Sequence, residues 1–125
     1  MGEVRTHKDL DVWKEAMQLV KEVYTWSASL PREETYGLTA RLKRAAISIP
    51  SNIAEGAARD SRKEFVQFLY IALSSLSELE TQIFLARDLF SLEREMISAR
   101  VERPKRLLGL IRSLKGGGGD TDAGC

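Results

Sequence analysis

Residues 45–65 read AAISIPSNIAEGAARDSRKEF and gather the side chains of a reactive loop: Ser48, Ser51, Asn52 and Glu55 around Pro50, closed by Gly56. On a helix, Asn52 and Glu55 are three positions apart and share a face. A carboxylate beside an amide there suits proton transfer or the holding of a polar substrate. General acid–base chemistry, however, needs a second convergent group within hydrogen-bond reach, and the surrounding sequence supplies none. The structural reading is the stronger one: Asn52 and Glu55 bond neighbouring helices or subunits. Pro50 removes one backbone donor and frees the carbonyl of Ala46, while Ser48 and Ser51 can bond locally to backbone groups around the resulting bend. Glu55 falls in the last helical turn, where a negative charge opposes the helix dipole and calls for a cationic partner.

Other constellations carry less. His7, Asp9 and Asp11 hint at a metal site, but steps of two scatter side chains around a helix, and no further His or Cys joins them. They read as N-terminal capping residues, together with Thr6. Cys125 is the only cysteine, which leaves no partner for an intramolecular disulfide or a multi-cysteine metal centre. No nucleophile–base pair or phosphate-cradling glycine loop is present, so the sequence assigns no catalytic residue, metal or cofactor. Trp13, Trp26, Tyr24, Tyr36 and Tyr70 offer rings on which bases could stack, yet aromatics at helical spacing are first read as core.

The basic residues are the better candidates for a binding function. Net charge is only +1, but between Arg41 and Lys63 six cations (Arg41, Lys43, Arg44, Arg59, Arg62, Lys63) face two acids, Glu55 and Asp60. From Arg103 to Lys115 there are five basic residues and no acid, whereas residues 78–102 hold six acids against three bases. Zoning of this kind supports a basic patch on a nearly neutral chain. Two readings stand side by side: a solvated surface with local ion pairs, or a set of phosphate contacts that bind without reading sequence.

The elements that must position these groups are helices. Apolar residues recur at threes and fours in four successive stretches. Val12, Trp13, Ala16, Met17, Val20, Val23 and Tyr24 predict a helix over about 8–28. Leu38, Leu42, Ala45, Ala46, Ile49 and Ile53 form a second stripe, with Arg41, Arg44, Ser48, Asn52 and Glu55 beside it. Gly56 is placed to stop this helix as a C-terminal cap, and Ser61 with Glu64 forms a capping box for the next. That third helix runs from Arg62 to about Phe90, and in FVQFLYIAL its apolar residues spread beyond a single seam, which predicts burial against another subunit. A fourth, weaker pattern covers Glu93 to Lys115 and is interrupted by Pro104. The expectation is an all-α, antiparallel up-down-up-down four-helix bundle over residues 1–115, followed by a flexible Gly-rich tail at 116–125.

Length and composition agree with one such domain. The 125 residues fit the roughly 100–150 of a typical domain, and 43% apolar beside 30% charged residues permits a packed core. No apolar run approaches the roughly 18 residues of a membrane span. The N-terminal MGEVRTHKDLDVW lacks the order of a signal peptide, so a cytoplasmic protein with no membrane partner is expected.

The strings HKDLDVWKEAMQLVKEVY and LTARLKRAAISIPSNIAEGAARDSRKEFVQFLYIALSSLSELETQIFLARDL, with SIPSNIAEG the most diagnostic part, resemble the family of four-helix-bundle proteins associated with intervening sequences in bacterial 23S ribosomal RNA genes. The resemblance covers residues 7–115. It implies small helical subunits that assemble into barrel-shaped homopentamers, and a relationship to the accessory variability determinant of diversity-generating retroelements, which binds nucleic acid and a reverse transcriptase. Arg41 stands where the family commonly has Gln, Ala57 and Ala58 where it has an aromatic, and Leu73–Ser74 where it has Arg-Gly. The first departure adds positive charge to the polar stripe, and the last removes it from the third helix.

Together these readings lead to a non-enzymatic homo-oligomer, a pentamer by the resemblance. It would bind RNA or DNA electrostatically through Arg41, Lys43, Arg44, Arg59, Arg62 and Lys63, or support a nucleic-acid enzyme. The alternative is a scaffold that binds a protein partner and no nucleic acid.

Overall fold

The computed structural model describes His7 and residues 10–90. Helix α1 spans Asp11–Ser27, a short 3-10 turn Arg32–Glu34, helix α2 Leu38–Ala57 and helix α3 Arg62–Phe90, with no strand among the described residues. The stretch 93–115, expected as a fourth helix, and the tail 116–125 lie outside the described residues, as do Thr6 and Asp9.

α1 begins three residues later than its periodicity suggests. Leu10 occupies the N-cap position with extended backbone and offers no capping side chain, and Asp11 sits in the first turn. An acid there favours the helix dipole without being a cap. The α1 core face is also rotated from the expected one. Leu19 and Trp26 are buried, whereas Met17 and Tyr24 are exposed. The expected stripe ran through both sides of the apolar arc, and tertiary packing selected the Val12–Ala16–Leu19–Val23–Trp26 line.

α2 buries Leu42, Ala45, Ala46, Ile49 and Ile53, all on the expected stripe. It runs continuously through Pro50, whose ring is itself buried. Gly56 is not the cap of this helix. It lies inside α2 and is buried, while Ala58 in right-handed backbone takes the C-cap position and its amide donates to carbonyls of the last turn. What requires a glycine at 56 is the approach of α3. A Cβ there would stand 2.7 Å from Phe68 Cβ, 2.9 Å from Phe65 Cδ1 and 3.2 Å from the Phe65 carbonyl oxygen. The missing side chain lets the two helices close immediately after their turn.

Between α2 and α3 the chain has only residues 58–61, so the two helices are antiparallel neighbours. The Ser48–Ser75 contact, 27 residues apart in the chain, confirms that direction beside the Gly56–Phe65 contact. Ser61 Oγ accepts the Glu64 amide at 3.1 Å, so this arm of the capping box is present. α3 buries Leu69, Ala72, Leu76, Leu79, Ile83 and Ala86 in the core and packs chiefly on α2. Its outer face is not fully covered. Tyr70, Ile71, Phe84, Leu85 and Leu89 are 42–66% exposed, while Val66 and Leu73 pack partly against the core. No helix among the described residues is long and apolar enough to cross a membrane.

Candidate nucleic-acid interface

The polar stripe of α2 has a specific internal wiring. Asn52 Nδ2 donates to the Ser48 carbonyl at 2.8 Å and to Ser48 Oγ at 3.0 Å. Ser48 Oγ is in turn 2.8 Å from Ser75 Oγ of α3. Asn52 therefore acts on its own helix and reaches α3 only through Ser48. Each of these groups is partly or wholly removed from water, where an unmade hydrogen bond would be expensive, so the chain of bonds favours one register of the two helices.

Glu55 finds its cation four residues on. Arg59 Nη2 donates to Glu55 Oε2 at 3.0 Å, with the two side chains 42% and 57% exposed. The partner expected from the helix dipole is thus Arg59, at the end of α2 where a positive charge is favourable. This bond takes one of the six candidate cations out of the free set. The Arg59 guanidinium also lies over the Phe68 ring, 4.9 Å from its centroid. Lys43 is half-buried and its ammonium lies 4.6 Å from the Tyr24 ring centroid, on the α1 side of α2.

The remaining four, Arg41, Arg44, Arg62 and Lys63, are exposed and make no ion pair among the described residues. They do not form one cluster. Arg41 and Arg44 occupy the first two turns of α2, and Arg62 and Lys63 open α3 at the other end. Along α2, Arg44 and the last helical residue, Ala57, are separated by roughly 20 Å at 1.5 Å per residue. Between the two ends runs the neutral Ser48–Ser51–Asn52 stretch of the same face. The chain offers two separated pairs of cations, an arrangement suited to phosphates some distance apart along a polymer.

Near the second pair, His7, Ser51, Ala54, Glu55, Ala58 and Arg59 line a shallow, open depression of about 590 Å³. The His7 ring stands edge-on to Trp13, with centroids 5.0 Å apart. Asp11 lies in the first turn of α1, and no described side chain caps that helix. Among the described residues, no group of three or more His, Cys, Asp or Glu side chains is placed to hold a metal ion.

The aromatic residues divide. Trp26 is buried in the core and Trp13 packs partly against it, as their spacing suggests. The tyrosines do not follow. Tyr24 and Tyr70 are each 42% exposed, and Tyr36 is 95% exposed. Tyr36 lies between the apolar stripes, in the polar stretch PREETYG before α2, and that position was the available signal that it is not core.

No curated protein matches the chain. The family model described as 23S rRNA-intervening sequence protein matches residues 8–113, and the chain belongs to that family.

Proposed function

We propose that this protein is a non-enzymatic, homo-oligomeric helical bundle that binds RNA or DNA through its phosphates, without reading sequence. The observation that carries this reading is the state of the cations. Arg41, Arg44, Arg62 and Lys63 are exposed and engage no acid among the described residues, while Lys43 lies over Tyr24 and Arg59 is held by Glu55. Side chains in that condition are available to displace counterions from a phosphate backbone. Arg41, Arg44, Arg62 and Lys63 form the principal contacts; Lys43 and Arg59 add to the field.

The assembly is a ring of helical subunits, in number five as in the family's barrels. Support comes from the outer face of α3. Tyr70 and Phe84 lie on one heptad-spaced row, and Ile71 and Leu85 on the adjacent one, with polar residues between the apolar ends. An apolar surface of this kind is suited to a further helix or a second subunit. A ring repeats the two cationic pairs around its axis and turns a nearly neutral chain into a strong local field.

Gel-shift titration of the chain with a structured RNA and a DNA duplex, from about 20 to 300 mM salt, tests the reading. Binding that weakens steeply with salt is expected. No shift of either nucleic acid at the lowest salt would reject it. The second reading is a scaffold for a protein partner, favoured by the same apolar rows of α3. It predicts a partner that stays bound after nuclease treatment, with no nucleic acid in the complex.

A further inference from the structure

The corner that joins the 3-10 turn to α2 carries the most exposed aromatic side chain of the described residues. Tyr36 is 95% exposed and makes no hydrogen bond or ring contact among them. Tyr24 has Lys43 over its ring, and Tyr70 has a partner of its own. Tyr36 contributes no burial to the fold, yet the backbone on either side of it is hydrogen-bonded. The Glu34 amide donates to the Pro31 carbonyl at 2.9 Å, Thr35 to Arg32 at 3.1 Å and Gly37 to Glu34 at 3.0 Å. Thr35 Oγ1 adds a bond to the Arg32 carbonyl at 2.7 Å. The ring is thus presented on a fixed corner and has only two side-chain torsions to lose on contact.

Its surroundings are cationic. Arg41 lies one turn into α2 from this corner, its amide bonded to the Gly37 carbonyl at 3.1 Å, and Arg44 follows at the next i+3 position. Arg32 is exposed at the start of the turn. Of the two acids here, Glu34 is half-buried with its carboxylate on the Leu38 amide at 3.1 Å and Glu33 is exposed, so three arginines stand against two carboxylates. An exposed ring at this corner, followed by exposed guanidinium groups in the first and second turns of α2, is a combination that can hold unpaired nucleotides, with base stacked on ring and phosphate on cation.

We propose that Tyr36 is a stacking platform for an unpaired base, with Arg41 and Arg44 holding the adjoining phosphates. The inference rests on the nucleic-acid reading above and narrows it: this end of the subunit prefers single-stranded segments or loops, whereas Arg62 and Lys63 bind backbone of any form.

The test compares the parent chain with Tyr36→Ala, Tyr36→Phe and Arg41→Ala/Arg44→Ala, using a labelled 12-nucleotide single strand and a fully paired duplex in anisotropy titrations. Tyr36→Ala is expected to weaken single-strand binding about tenfold, from the roughly 1–3 kcal/mol of one base–aromatic stack, and to leave duplex binding unchanged. Tyr36→Phe should restore the parental affinity. The salt slope should be unaltered by Tyr36→Ala and lowered by the arginine variant, because stacking releases no counterions. Because the side chain packs on nothing, far-ultraviolet circular dichroism should show both Tyr36 variants folded. Unchanged single-strand binding by Tyr36→Ala would overturn the proposal, as would an equal loss on both ligands. A changed sedimentation coefficient of Tyr36→Ala without nucleic acid would overturn it in favour of a subunit contact. If the parent binds neither ligand at low salt, the nucleic-acid reading itself fails.

Discussion

Gly56 is the last residue but one of α2, a helical position where glycine is less favourable than alanine by at most about 1 kcal/mol. In an open helix Gly56→Ala would stabilise. Here the added methyl meets the Phe68 Cβ at 2.7 Å and lies 3.2 Å from the Phe65 carbonyl oxygen, atoms that cannot swing aside without moving α3. Overpacking of this kind outweighs the propensity gain, so Gly56→Ala should destabilise by about 1–2 kcal/mol in urea unfolding. A stabilised variant would contradict the close-packing role. Glu55 gives the opposite kind of test. Its bond to Arg59 is exposed, so Glu55→Gln should change stability by less than about 0.5 kcal/mol. Release of Arg59 should at the same time tighten nucleic-acid binding, and a loss of binding on that substitution would assign Glu55 a direct contact. The sequence made the need for a cation beside Glu55 legible from the helix dipole. It did not make the role of Gly56 legible, because a glycine near a helix end satisfies the cap pattern equally well, and only the position of α3 separates the two.

At the scale of elements, α2 and α3 were readable because their apolar residues keep one stripe over many turns. The start of α3 at Arg62 agrees with the pattern, as does the short turn between the helices. α1 was less readable, since Met17, Val20 and Tyr24 compete with Leu19 and Trp26 for the inner face and local periodicity cannot weigh packing. The apolar spread of FVQFLYIAL was legible as a surplus. In the subunit that surplus stands as the rows containing Tyr70, Ile71, Phe84, Leu85 and Leu89. These rows give the element-scale prediction. Ile71→Asp with Leu85→Asp places charges on exposed positions, so the helices should persist in circular dichroism. The particle should fall to monomer in sedimentation velocity at micromolar concentration. An assembly of unaltered size would remove this face from the subunit contact. Asn52→Ala tests the other side of α3. It leaves Ser48 with one partner fewer and should cost about 1 kcal/mol in unfolding free energy.

For the whole molecule, the decisive feature is the arrangement of charge rather than its sum. A net charge of +1 gives no general attraction to polyanions. Four exposed cations of the 41–63 segment nonetheless lie in two pairs towards the two ends of α2, separated by Ser48, Ser51 and Asn52. The sequence showed the six basic residues as one segment. Folding divides that segment, draws Lys43 to Tyr24 and Arg59 to Glu55, and leaves four. The account therefore predicts that the four act together and that the other two matter less. The most direct measurement is the slope of log K against log salt for one RNA hairpin, taken for the parent chain and for Arg41→Ala/Arg44→Ala/Arg62→Ala/Lys63→Ala. The account predicts a slope that becomes shallower by about one unit for each lost phosphate contact per subunit engaged, with affinity at low salt reduced at least tenfold. An equal slope and affinity in the two proteins, with both remaining folded and assembled, would contradict it.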